Sequence, residues 1–137
     1  MIWKKDIYNS LISCANACDE FATECSRSED IESQYRSMFL NLDCADICRQ
    51  LAMLYVRGSE NTPLLAKACI EMCKKCAQQV ITVDTQRCHL VYALCQQTIS
   101  SCVSILNMAH HTDASNTSAV MSTSMFYGVD LRETSYN

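Results

Sequence analysis

An all-α fold, an antiparallel up-down-up-down bundle of four helices, follows from three observations. Apolar residues and cysteines recur at spacings of three and four through four separate stretches, the period of a one-sided helix. Two glycines and one proline in 137 residues leave almost no material for hairpins, while Ala, Leu, Gln, Glu and Lys fill the periodic stretches. The links between stretches are short, which makes consecutive helices antiparallel neighbours. One domain, residues 1–111, accounts for the periodic part, and residues 112–137 lose the period, become Ser/Thr-rich and read as an irregular tail.

The first helix is predicted from about Trp3 to Cys25, where Ile7, Leu11, Cys14, Cys18, Phe21 and Cys25 step by 4, 3, 4, 3 and 4, a heptad seam against one partner surface. Ser26-Arg-Ser28-Glu29-Asp30 supplies capping residues and first-turn acids for a second helix ending at Arg57, with Gly58 as its C-terminal cap. The second helix carries Cys44, Cys48, Leu51 and Tyr55 inward, continued upward by Ser33, Ser37 and Asn41. On its opposite side Ile31, Tyr35, Met38 and Leu42 form another apolar stripe. A helix with two apolar faces has two partners. The second partner is expected to be another copy of the chain, the alternative being the C-terminal tail folded back over the stripe.

Thr62-Pro63 reads as an N-cap followed by proline at the first helical position. Leu65, Cys69, Met72, Cys73, Cys76 and Val80 then mark the inner face of the third helix. Asp84 is the candidate cap of the fourth, which places Cys88, Val91, Tyr92, Cys95, Ile99, Cys102, Leu106 and His110 inward and is expected to end near His111. The tail is expected to dock, if at all, through Met125-Phe-Tyr127.

Every cysteine therefore lies on an inward helical stripe. Counted down from the end holding the first and third links, Cys25 and Cys88 fall in a top layer. Cys18, Cys73, Cys76 and Cys95 come next, then Cys14, Cys44 and Cys69, and lowest Cys48 and Cys102. Eleven is an odd number of cysteines, and thiols four apart on one helix project in parallel, so a secreted disulfide framework fits poorly. Asp6, Asn9 and Ser10 interrupt what would be the apolar part of a signal peptide. Leu11-Ile-Ser-Cys14 mimics a lipoprotein cleavage site, but cleavage there would destroy the first helix. No apolar run reaches the roughly 20 residues of a membrane span. These features point to a reducing cytoplasm. The net charge of −4 and the absence of a basic run argue against a nucleic-acid partner.

Buried thiols can simply pack as small hydrophobes, but Ala or Val would fill the volume without redox hazard. One zinc ion or one iron–sulfur cluster uses four ligands and leaves most of the thiols unexplained. Cu(I) is soft and is satisfied by two or three thiolates, so several ions per chain can lie along the seam. Zinc or iron–sulfur binding, and a metal-free thiol redox buffer or sensor, remain the alternatives. Catalysis is not expected. Cys88 and His89 are adjacent and so do not face each other on a helix, and no carboxylate pair, glycine-rich loop or His-x-x-x-His is present.

Leu42-Asp-Cys44-Ala-Asp-Ile-Cys48-Arg, the Arg57-Gly58-Ser59 helix ending and Cys69-x-x-x-Cys73-x-x-Cys76, in that order and at those distances, resemble the bacterial copper storage protein family of cysteine-rich four-helix bundles. The resemblance covers about residues 3 to 111. It implies Cu(I) held by cysteines inside the bundle, loading through one end, and commonly a homotetramer. It also implies that Cys14, Cys18, Cys44, Cys48, Cys69, Cys73 and Cys76 are ligands; Cys25, Cys88, Cys95 and Cys102 share their stripes. The chain departs from the family in carrying Ser37 and Asn41 at inward positions and thiols only at every seventh residue of the fourth helix, which reduces the expected capacity. His110 falls about 40° from Cys88 around the helix, on the thiol side, and is the candidate ligand at an entrance; His111 points out.

Overall fold

A computed structural model of the chain describes residues 4–83 and 85–126, with side chains as far as residue 109. Four helices make up the described chain: α1 (Lys4–Ser26), α2 (Ile31–Val56), α3 (Thr62–Val80) and α4 (Gln86–Phe126). No strand occurs among the described residues. The chain divides into two compact units, Met1–Leu106 and Asn107–Asn137. The first is the four-helix bundle, and the second contains the last part of α4.

The helix ends follow local chemistry. Gly58 closes α2 with φ +68°, the left-handed conformation that glycine adopts without a Cβ penalty. Its N–H donates to the Tyr55 carbonyl (3.2 Å) and the Ser59 N–H to the Leu54 carbonyl (2.9 Å), the paired bonds of a Schellman ending. At the start of α4 the cap is the Thr85 hydroxyl, which accepts the Cys88 N–H at 3.2 Å. Asp84, the expected cap, lies outside the described residues. Asn61 rather than Thr62 precedes α3, and proline occupies its first turn as expected.

The fourth helix is longer than expected. It continues past His111 to Phe126, so residues 112–126 are helical and not irregular. Loss of the apolar period marks where core contact ends, which is a different thing from where a helix ends. No glycine or proline occurs between Pro63 and Gly128, and Ser, Thr and Asn cost only a few tenths of a kcal/mol each in a helix. Tyr127, part of the expected docking segment, lies outside the described residues, as do the side chains of Met125 and Phe126.

Inside the bundle, Ile7, Leu11, Leu51, Val80 and Val91 are fully buried together with nine of the eleven cysteines, Cys25 and Cys88 keeping a trace of exposed surface. Two inner faces are phased differently from the sequence reading. On α2 Ser33 is exposed and Gln34 is half-buried, so the seam runs Gln34, Ser37, Asn41, Cys44, Cys48, Leu51. On α4 Thr98, Ser101 and Ile105 are buried, whereas Tyr92, Ile99 and Leu106 flank the core. On α2 the alternating 3, 4, 3, 4 step of a heptad seam replaces two successive steps of four, and on α4 the same step wins over the hydrophobicity of single residues.

Polar staples join the helices on the outside. Arg87 of α4 reaches Glu20 (3.2 Å) and Glu24 (2.9 Å) of α1, and Arg49 of α2 reaches Asp19 (2.6 Å) and Asn16 (3.0 Å) of α1. These half-exposed pairs fix the order of neighbours more than they stabilise, each contributing about 1 kcal/mol or less. Stability comes from the buried side chains, at about 1.5–3 kcal/mol for each large one. The reduced, metal-free protein is therefore expected to show full helical circular dichroism. Leu11→Ala should destabilise it by about 2–5 kcal/mol in chemical denaturation; a coil spectrum for the metal-free protein would contradict this account of the core.

Candidate metal centre

All eleven cysteines are free thiols, and all are buried. Each helix delivers its sulfurs because the cysteines hold core positions of a seam, α1 through Cys14 and Cys18, α2 through Cys44 and Cys48, α3 through Cys69, Cys73 and Cys76, and α4 through Cys95 and Cys102. Sulfur contacts cross between helices: Cys14 to Cys95 at 4.0 Å, Cys44 to Cys73 at 3.5 Å and Cys48 to Cys69 at 3.9 Å. Within α3, Cys69 and Cys73 lie 3.8 Å apart. Cys76 interacts with Cys18, and Cys102 with Cys69. Nine sulfurs thus form one connected cluster.

Two groups of four within it are compact, each with all sulfurs inside 4.8 Å of one another: Cys14, Cys44, Cys48 and Cys73, and Cys14, Cys18, Cys44 and Cys95. This regroups the layers counted from the sequence, which placed Cys73 beside Cys18 and Cys95 and separated it from Cys14 and Cys44. The cause is side-chain direction. A helical side chain leans toward its own N-terminus, so the sulfurs of antiparallel α2 and α3 lean oppositely along the bundle axis, and Cys44 and Cys73 meet.

Cys25 and Cys88 form a separate pair. They line a cavity of about 220 Å³ with Phe21, Glu24, Gln34 and Val83. The Cys25 thiol donates to Gln34 Oε1 at 3.6 Å. Burial pushes that thiol up, and the neighbouring Cys88 and Glu24 add to the effect. Gln34 is a neighbour the sequence reading missed; its place four residues before Met38 hid it, although its spacing of 3 from Ser37 continues the seam.

Hydrogen bonds among the sulfurs shift the thiols in opposite directions, and Cys14 both accepts and donates. Cys18, Cys48, Cys73 and Cys95 are pushed above the ordinary thiol range, first by bonding to Cys14 and also by burial. Cys102 is pushed up by bonding to Cys69. Cys14, Cys44 and Cys69 are pulled down by the S–H groups of Cys18, Cys14 and Cys102 respectively, against the opposing effect of burial.

Two polar residues interrupt the sulfur surface. Asn41 is fully buried, donates Nδ2 to the Ser37 carbonyl at 2.8 Å and leaves Oδ1 without a partner. Thr98, also fully buried, leaves Oγ1 unpartnered. Ser37 is in turn held by Gln79, itself held by Arg36. The His110 side chain lies outside the described residues.

Closely set, dry, mutually bonded thiols can take up soft metal ions and release protons. No curated protein and no solved structure matches the chain. The family model for copper storage proteins, Csp, matches residues 3–107. That match spans most of the bundle and every cysteine in it, and the chain belongs to the copper storage protein family.

Proposed function

We propose that this protein stores Cu(I), several ions per chain, on the thiolates of its bundle interior, in the reducing environment of the cytoplasm and without catalysing a reaction. The observation that carries the reading is the cluster of nine buried sulfurs, six of them in contacts of 3.5 to 4.0 Å and joined through two groups of four that lie within 4.8 Å. A lone structural ion needs four ligands, and a surplus of this size serves quantity. Eleven free thiols also favour a compartment that keeps them reduced.

Electrostatics shape how the store fills. A bare thiolate in this interior would be costly, so the empty protein holds neutral thiols and each arriving copper displaces protons. One thiolate per copper, with sulfurs bridging, leaves the core neutral, whereas two thiolates per copper leave one negative charge per ion. The close S–S spacing favours the bridged form. Anaerobic titration with Cu(I) against a competing chelator should show tight binding of roughly five to eleven ions per chain. Binding of a single zinc ion, with copper held no better than by an unstructured thiol peptide, would end the storage reading.

The raised thiols also set a pH limit on the empty protein. Cys18, Cys48, Cys73, Cys95 and Cys102 stay protonated in the fold above the ordinary thiol value of 9.0, whereas the unfolded chain loses those protons. Their contribution to stability is present below that value and is lost as pH rises toward the folded values. The smaller set of lowered thiols acts in the opposite sense. Melting temperature of the reduced apoprotein should fall between pH 8 and about pH 10, and the copper-loaded protein should lose less; a rise in the apoprotein would show that the lowered thiols dominate.

The α2 stripe is proposed to join copies of the chain. Tyr35 and Leu42 are exposed at 44% and 37%, Phe39 beside them at 55%, and the Tyr35 and Phe39 rings lie 6.1 Å apart. Ile31 and Met38 are half-buried on the same side. A contiguous apolar strip of this kind suits a symmetric interface, and the family resemblance favours a tetramer. Sedimentation should find an oligomer that Tyr35→Asp converts to monomer. An unchanged mass would reassign the stripe.

A further inference from the structure

We infer that the centre of the bundle is also a preformed binuclear site for a divalent d10 cation such as Zn(II) or Cd(II). Six thiolates hold two tetrahedral ions there, and Cys14 and Cys44 bridge them. The inference goes beyond the copper reading and is tested without copper.

The geometry comes from the two compact groups of four. A tetrahedral site with metal–sulfur bonds of about 2.3 Å has sulfur–sulfur edges of about 3.8 Å. The measured contact from Cys44 to Cys73 is 3.5 Å and that from Cys14 to Cys95 is 4.0 Å, each a short side-chain adjustment from that edge. The remaining separations in each group stay inside 4.8 Å. All six side chains have no exposed surface, so neither site keeps a position open to water, which is the arrangement of a closed structural ion rather than a catalytic one.

The sharing of ligands decides between two isolated ions and a cluster. The groups have Cys14 and Cys44 in common, with Cys48 and Cys73 completing one tetrahedron and Cys18 and Cys95 the other. Two separate four-thiolate sites would need eight sulfurs and carry two negative charges each. The shared arrangement needs six, and two divalent ions displacing six protons leave a total charge of minus two. In a dry interior the smaller charge is the favoured outcome. All four helices contribute ligands, and filling the site ties them together.

The test is anaerobic titration of the reduced, metal-free full chain with Co(II), a coloured stand-in for the zinc geometry, followed by displacement with Zn(II). Two ions per chain should bind with the d–d bands of tetrahedral cobalt thiolate, six protons should be released, and the melting temperature should rise. Cys14→Ala and Cys44→Ala should each abolish the two-ion cluster. Cys18→Ala with Cys95→Ala should leave one ion, which guards against a bridging variant that fails to fold. Cys102→Ala, outside both groups, should still bind two. Saturation at any number other than two in the parent protein, octahedral cobalt spectra, or equal losses in Cys102→Ala and Cys14→Ala would overturn the inference. Copper titration of the same proteins is a separate measurement, so failure of one reading leaves the other to be judged independently.

Discussion

A negative charge cannot be left alone in a dry protein interior, and that constraint organises this molecule. The nine-sulfur cluster is acceptable empty only because its members are neutral and bonded to one another, and acceptable full only if bound cations replace most of the positive charge that leaves with the protons. The sulfur-to-sulfur contacts are therefore the interaction on which the rest depends. They satisfy the buried thiols in the empty state with the same atoms that would grip metal in the loaded one, and no change of fold is needed between the two.

The remaining features follow from holding those sulfurs still. Seams of three-and-four spacing turn the cysteines of four helices toward one axis. Leu11, Leu51, Val80 and Val91 fill the space around them, and the charged staples of Arg49 and Arg87 fix which helices are neighbours from the outside, where their charges remain hydrated. Where the seam carries Asn41 or Thr98 instead of cysteine, a buried oxygen is left without a partner. Asn41 bounds the sulfur cluster on the side of the Cys25 and Cys88 pair, whereas Thr98 interrupts it between Cys95 and Cys102.

Much of this was legible in the sequence because both the fold and the site are written in one period. The α1 seam from Ile7 to Cys25 reads directly, and each of its six residues is buried. Gly58 announced the end of α2 through its conformational freedom alone. Three matters were not legible, each for a physical reason. The end of α4 leaves no trace when helix-compatible residues continue beyond the core. Thr98 is hidden beside the more hydrophobic Ile99, and Gln34 beside Ser33, which steps of four from Ser37 and Asn41 place on the inner face. The grouping of Cys73 with Cys14 and Cys44 depends on the lean of side chains in opposite directions on antiparallel helices, and counting residues along an axis cannot register a displacement of that kind.

Sharing Cys14 and Cys44 between two groups has a consequence for how a population of chains behaves. Once a first ion has stripped the protons from sulfurs that a second ion also needs, the second finds part of its desolvation and deprotonation already done. Under the proposed bridging, uptake is then cooperative between neighbouring positions. A culture supplied with half the metal its proteins could hold would contain mostly nearly full and nearly empty molecules, with few intermediates. A store of that kind answers scarcity by the number of loaded molecules, each of which delivers its cargo at an almost constant affinity.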